Sequence, residues 1–300
     1  MTNKLRPLLA TEVKNLKDLK LPMLASVKLD GIYALIVDGV IYSRSFKPIK
    51  NKHVQKLFGN HDLNGLVGEL VCGDVYAEDV FRQTTTATMA EDGVNDVKLY
   101  IFDDWSVGDK PYQERYQHYQ RRIKALNNGS IVALEHNMLH TIDEVSDVLD
   151  KEQKLNGEGI ILRLPSAKWK NGRSTPKSQE SVKLKFFEQQ EYKIVDVVER
   201  MHNANEAKVN ELGYTERSSH KDNMIPMDTF GAFVMELQDG RTFNVGSGLG
   251  LTDVVRKEIW DNRDKYIGKI ATVRQMKVGS KNGIPRLPSF VGWRDNDDMS

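Results

Sequence analysis

Apolar and polar positions change period several times along this chain, and the changes mark out its elements. Residues 24–37, LASVKLDGIYALIV, are β-prone through Val27, Leu29, Ile32, Leu35 and Val37, broken only by Lys28 and by Asp30-Gly31. An Asp-Gly pair between such runs predicts a hairpin with Lys28 just ahead of its turn and a return strand through Val40-Ile41-Tyr42. Residues 67–71 and 98–102 read as buried strands, the first interrupted by Glu69 and the second ending at Asp103-Asp104. Another strand spans 159–163, directly after Glu158. SVKLKFF at 181–187 alternates strictly, which sets Lys183 and Lys185 on one face and Val182, Leu184 and Phe186 on the other. Helical patterns cover 51–58, 112–126 and 141–155, the last opened by a capping box at Thr141 and Glu144 and ended by Asn156-Gly157. A shorter one involves Val13, Leu16 and Leu19.

Beyond Phe187 the pattern changes. Glu188 to Glu191 is polar and reads as a hinge, and short alternating strands follow with a single helical pattern at 254–260. Such a series predicts a small barrel of the oligonucleotide-binding type. Residues 201–227, polar and weakly periodic, are too long for an ordinary hairpin loop and predict a segment that is disordered or functional.

At 300 residues and 39% hydrophobic the chain has material for two cores. No apolar run reaches membrane-spanning length, and the first residues lack a secretory signal's apolar region, so the expectation is an intracellular protein, cytoplasmic or viral within a host cell, and not secreted. The single cysteine, Cys72, excludes an internal disulfide and a cysteine zinc module. A net charge of +1 conceals segregation: residues 41–56 carry Arg44, Lys47, Lys50, Lys52 and Lys56 with no acid, and residues 269–286 carry Lys269, Arg274, Lys277, Lys281 and Arg286 with none. Acid-free runs in a nearly neutral protein favour a polyanion-binding side, although any one of them alone reads as a solvated face. Gly246-Ser247-Gly248-Leu249-Gly250 lacks dinucleotide-loop spacing and reads as a turn, and the histidines show no metal-ligand spacing.

What remains is a nucleophile, carboxylates and cations: Lys28, Glu69, Glu158, Arg44, Lys183 and Lys185. An unperturbed lysine, near pKa ~10.4, is almost wholly protonated at neutral pH, and an amine attacks phosphorus only when neutral. Burial and neighbouring cations lower that barrier, carboxylates suit a divalent cation and ribose hydroxyls, and lysines offset phosphate charge.

In order and spacing these residues resemble the covalent nucleotidyltransferases, specifically the ATP-dependent DNA ligase family and most closely its minimal chlorella-virus type. Lys28-Leu29-Asp30-Gly31 is similar to the motif of the nucleotidylated lysine, Ser43-Arg44-Ser45-Phe46-Lys47-Pro48 to the following basic motif, and Val67-Gly68-Glu69-Leu70 to the third. Phe102 resembles the aromatic that stacks on adenine, Glu158-Gly159 the fourth motif and Lys183-Leu184-Lys185 the fifth. Arg173 resembles a further active-site arginine, Arg286 and Arg294 fall in a segment similar to the C-terminal motif, and residues 213–221, with Arg217 and Lys221, resemble a DNA-embracing latch.

The resemblance implies an α+β fold: an N-terminal nucleotidyltransferase (ATP-grasp-like ligase) domain of antiparallel sheets and flanking helices over residues 1–188. An OB-fold β-barrel over 189–300 follows, carrying a latch insertion at about 201–227. It implies ATP as AMP donor with Mg²⁺ or Mn²⁺, and sealing of 5′-phosphate/3′-hydroxyl nicks in duplex DNA through lysyl-AMP on Lys28 and a DNA-adenylate. Glu69, Phe102, Lys183 and Lys185 would hold the nucleotide, Glu158 the metal, and Arg44, Lys47, Arg173, Arg217 and Lys221 the nick phosphate or DNA. The protein would work as a monomer encircling DNA. The alternatives are an RNA ligase or mRNA capping guanylyltransferase, and a non-catalytic nick-binding protein; the latch-like segment favours duplex DNA, and the intact Lys28, Glu69, Glu158, Lys183 and Lys185 favour catalysis. An NAD-dependent ligase is disfavoured by the short stretch before Lys28. Two positions depart from the family pattern: Tyr33 stands where arginine is expected, and Val67 where aspartate is frequent. Self-adenylylation is expected to tolerate Tyr33.

Overall fold

The computed structural model describes residues 5–281 and 283–294. It forms two compact units, one ending at Phe186 and the other beginning at Phe187. The first contains a five-stranded sheet in the order Val40–Ser43, Ile32–Val37, Leu66–Cys72, Val97–Asp104, Ile131–Ala133, antiparallel except for its last pair. A four-stranded antiparallel sheet runs Ser181–Lys185, Gly159–Arg163, Met23–Val27, Asn137–Leu139. Helices Lys52–Phe58 and Tyr112–Leu126 close the core of the larger sheet through Val54, Phe58, Tyr119 and Ile123. Val145 of helix Ile142–Lys154 packs on Met23, Leu139 and Leu162 of the smaller one. The helix begins with the expected Thr141 cap, whose Oγ1 accepts from the Glu144 N–H (3.2 Å), but the reciprocal bond shifts by one residue: Glu144 Oε2 accepts from the His140 N–H (2.7 Å) and not from that of Thr141.

The Asp30-Gly31 pair does not close a hairpin. Met23–Val27 and Ile32–Val37 lie in different sheets, and residues 28–31 carry the chain across between them. The hairpin forms further on at Asp38-Gly39, whose φ values of 50° and 75° are the paired positive angles of a type I′ turn. Both sites carry Asp-Gly, and partner availability separates them: Ile32–Val37 finds Val40–Ser43 and Leu66–Cys72 as neighbours, while Met23–Val27 is already flanked. The helical pattern around Leu16 yields only a 3₁₀ turn, Leu16–Asp18. Conversely, Val80–Met89 is a helix that its threonine-rich sequence conceals; Thr84, fully buried, accepts from the Cys72 N–H (2.9 Å) and ties that helix to the sheet.

The second unit is a five-stranded antiparallel sheet in the order Thr242–Val245, Met224–Glu236, Phe187–Asn203, Ile270–Lys281, Ile284–Trp293. Ile259, Val255 and Trp260 of helix Asp253–Asp261 join its core of Ile194, Phe230, Phe233 and Val273. The sheet is open, which corrects the closed barrel expected from sequence. Among the described residues Thr242–Val245 forms no ladder with the opposite edge, Ile284–Trp293, and an isolated bridge between Gly248 and Phe290 joins the two sides. Glu188 to Glu191, expected as a hinge, lie within a strand: they pair with Thr272 to Gln275, and the side chains of Gln189, Gln190 and Glu191 stay exposed. Residues 201–227 are also more regular than their sequence suggests. The flanking strands stay paired out to Asn203 and Met224, and a small hairpin, Ala207–Val209 with Thr215–Arg217, fills the interval. Asn205 fastens it by donating to the Ser218 and His220 carbonyls at 3.0 and 2.8 Å. No helix among the described residues is long and apolar enough to cross a membrane.

Candidate active site

Two close backbone approaches build the centre of the first unit. The Lys28 N–H donates to the Gly159 carbonyl (2.9 Å), so the lysine prolongs the ladder that ends beside Glu158. Gly159 has φ +140°, and a Cβ there would lie 1.9 Å from the Leu184 carbonyl oxygen, so only glycine admits this strand pairing. At Gly31 a Cβ would stand 2.2 Å from the Leu70 carbonyl oxygen, and its absence lets residues 28–31 cross close to Glu69.

The result is a cavity lined by Lys28, Arg44, Glu69, Phe102, Arg173, Lys183 and Lys185, with Tyr33 and Arg163 among the remaining wall residues. Glu158 lies beneath, 4% exposed, and its two carboxylate oxygens take different lysines: Lys28 Nζ on Oε2 and Lys185 Nζ on Oε1 at 2.7 Å. Burial pushes the Glu158 carboxyl up, but the two ammonium groups outweigh it and hold the pKa below the ordinary value. Burial also lowers Lys185, an effect that Glu158 opposes and Lys28 reinforces. Lys183 pairs with Glu12 at 3.2 Å, and Arg173 donates to the Ala10 carbonyl at 2.8 Å.

Glu69 behaves differently. Burial raises its carboxyl to about 8, with Lys28 pulling the other way, so it carries a proton at neutral pH. A carboxyl whose pKa is higher folded than unfolded stabilises the fold below the unfolded value and loses that contribution as pH climbs through the folded one. Glu69→Gln should therefore flatten the stability profile between about pH 4.5 and 8 and raise the melting temperature at the alkaline end. Parallel melting curves for variant and parent across that window would contradict it.

Sequence reasoning misses the support behind this wall. Asp103, fully buried, accepts from Arg115 Nε (2.8 Å) and from Arg163 Nη1 (2.9 Å). Arg163 lies over Phe102 and Tyr112, its guanidinium carbon 5.0 Å from each ring centroid. Asp104, also buried, binds Arg122 and His118. The only signal is the Asp103-Asp104 pair after an apolar strand, two acids where the chain turns inward. Asp103→Asn would leave two buried guanidinium groups short of charge and should destabilise the unit by about 3–5 kcal/mol, as read by denaturant melting. A loss under about 1 kcal/mol, the range of a surface pair, would show that the pair is dispensable.

The other sequence-nominated residues lie outside the cavity. Lys47 is exposed in the turn after Arg44. Arg217, Lys221, Arg286 and Arg294 belong to the second unit: Arg217 donates to the Asn205 carbonyl, Lys221 opens an exposed 3₁₀ turn, Arg286 faces Met276 across the sheet, and Arg294 pairs with Glu191.

The family profile described as ATP dependent DNA ligase domain matches residues 7–185, and the one described as DNA ligase OB-like domain matches residues 226–294. The chain belongs to the ATP-dependent DNA ligase family. This ligase resembles the crystal structure of chlorella virus DNA ligase-adenylate with 26% identity and a TM-score of 0.55, covering 96% of this chain and 99% of that one. A second crystal structure of that adenylate gives 27% identity over 98% and 99%, again at 0.55. A Lig E DNA ligase shares the fold, with a TM-score of 0.69 at 21% identity over 96% and 99%. Comparison with curated sequences found no match. The chain is thus a DNA ligase of the α+β class, in which a nucleotidyltransferase domain that uses ATP precedes an OB-like, DNA-binding domain.

Proposed function

We propose that this ligase seals 5′-phosphate/3′-hydroxyl nicks in duplex DNA and that Lys28 carries the AMP. The observation that supports this most directly is the Lys28–Glu158–Lys185 chain at the cavity wall, an amine whose partner carboxylate is shared with a second amine. Neutral Lys28 Nζ attacks the α-phosphorus of ATP; the N–P bond forms, the α–β phosphoanhydride breaks, pyrophosphate leaves, and one N–H proton is lost. A nick 5′-phosphate oxygen then takes the AMP as the N–P bond breaks and Lys28 regains its proton. Finally the 3′-hydroxyl oxygen attacks the 5′ phosphorus; the phosphodiester bond forms, the phosphoanhydride to AMP breaks, AMP leaves, and the hydroxyl proton is lost to solvent. Lys183 and Lys185 supply positive charge to the nucleotide phosphates, Phe102 stacks on the base, and Glu69 hydrogen-bonds the ribose. Arg44 and Arg173, on the same wall, bind the 5′-phosphate.

No cluster of three metal-ligating side chains occurs among the described residues. Mg²⁺ is commonly held by one or two carboxylates plus substrate phosphates and water, and a carboxylate bound by two lysines keeps further lone pairs. The Glu158 carboxylate would therefore hold a divalent ion, Mg²⁺ or Mn²⁺, together with the nucleotide phosphates and water, and the ion would supply positive charge to those phosphates. Lys47, Arg217, Lys221, Arg286 and Arg294 serve the DNA side and later chemistry in this reading, and the protein acts as a monomer encircling the duplex.

Incubation with α-labelled ATP and Mg²⁺, then denaturing electrophoresis, tests the proposal. An acid-labile adduct mapping to Lys28 is expected, and label on any other residue would overturn it.

A further inference from the structure

Two buried polar atoms stand without partners among the described residues, the Tyr33 hydroxyl and Arg163 Nε. Both residues line the nucleotide cavity, and both flank Phe102: the Tyr33 ring centroid lies 5.7 Å from the Phe102 ring, and the Arg163 guanidinium carbon 5.0 Å from it. A buried hydroxyl or N–H left unpaired is costly, and natural cavities tolerate one chiefly where a ligand or water supplies the missing partner. Two such unpaired atoms therefore lie buried in the wall beside Phe102, the aromatic suited to stack a base.

We propose that Tyr33 and Arg163 read the base of the nucleotide: the Tyr33 hydroxyl oxygen accepts from the exocyclic amino group of adenine, and Arg163 Nε–H donates to the adjacent ring nitrogen, N1. The proposal rests on the reading of this cavity as the ATP site. Burial raises the Tyr33 pKa, so the hydroxyl stays protonated through the working range, and Arg163 is the charged group acting on it most strongly. Asp103, itself held by Arg115, accepts from Arg163 Nη1, which leaves Nε the unpaired side of the guanidinium. Guanine would set its N1–H against the Arg163 N–H, donor against donor. The residue that replaces the family's arginine at position 33 is thereby a specificity determinant.

The test measures affinity for non-cleavable α,β-methylene ATP, for its guanine counterpart and for the purine-riboside counterpart that lacks the amino group, by calorimetry with Mg²⁺. Wild-type protein should prefer the adenine compound to the purine compound by about tenfold, the worth of one neutral hydrogen bond. It should bind the guanine compound weakest. Tyr33→Phe should lose the preference over purine, because the partner of the amino group is gone. Its nucleotide-free melting temperature should match or exceed that of the parent, since an unpaired buried hydroxyl has been removed. An unchanged preference in Tyr33→Phe, or no preference in the parent, would overturn the proposal. A lower nucleotide-free melting temperature would assign the hydroxyl a structural role instead. If none of the three compounds binds, the ATP-site reading itself fails.

Discussion

Lys28→Ala should abolish ATP-dependent nick joining and the protein–AMP adduct together, a loss on the order of 10⁴-fold or more, as when a catalytic nucleophile is removed. The geometry makes this variant a clean probe. Glu158 is buried and would be an uncompensated charge if it lost both partners, yet Lys185 Nζ stays 2.7 Å away when Lys28 is truncated. Folding should therefore survive, and a melting curve close to that of the parent is part of the expected result. Lys28 also borders Glu69 and opposes its raised pKa, so the variant should hold Glu69 protonated to higher pH still. The last chemical step needs no lysine nucleophile, only the cavity that holds AMP as leaving group. A nick supplied already adenylylated should be sealed by Lys28→Ala, slowly. Retention of a normal adduct would transfer the nucleophile's role to Lys183 or Lys185, the other amines on the wall.

Local signals are legible where local physics decides the outcome. The Thr141 cap, the period of Tyr112–Leu126 and the strict alternation of Ser181–Lys185 correspond to the structure because each depends on neighbours in sequence. Lys28, Glu69, Phe102, Lys183 and Lys185 stand out by residue type within β-prone runs, and the fold gathers them around one cavity. The failures are failures of partnership. Asp30-Gly31 and Asp38-Gly39 carry the same dipeptide, and strand pairing alone separates a sheet crossing from a hairpin. Glu188 to Glu191 look like a linker until Ile270–Lys281 supplies a ladder. The Asp103 ion cluster joins residues far apart in the chain, so no window of sequence contains it. Tyr33 reads as a gap in a motif, whereas its significance lies in a missing hydrogen bond that only the folded chain reveals.

Replacing residues 204–223 by a short Gly-Ser turn should cut nick affinity strongly and leave labelling by ATP intact. The cut removes the small hairpin but spares the strands beneath it, which remain paired at Asn203 and Met224, so the sheet keeps its ladder. The core residues Ile194, Phe230, Phe233 and Val273 all lie outside the deletion. What disappears is chemistry suited to a duplex: Lys208, Arg217 and Lys221 can meet phosphates, while Val209 and Tyr214, 77% and 51% exposed, present apolar surface to solvent. Each phosphate no longer neutralised should reduce the salt slope of binding by about 0.9, and removing a few such charge pairings should weaken binding by roughly one to two orders of magnitude at moderate salt. The apolar tip adds a second signature. If Val209 and Tyr214 rest in the minor groove, their replacement by serine should weaken binding without altering the salt slope, since apolar packing releases no counterion. The two variants therefore separate charge from shape. Equal nick affinity and an unchanged slope in the deletion variant would reduce the hairpin to surface decoration, and an encircling grip on DNA would then have to come from elsewhere in the chain.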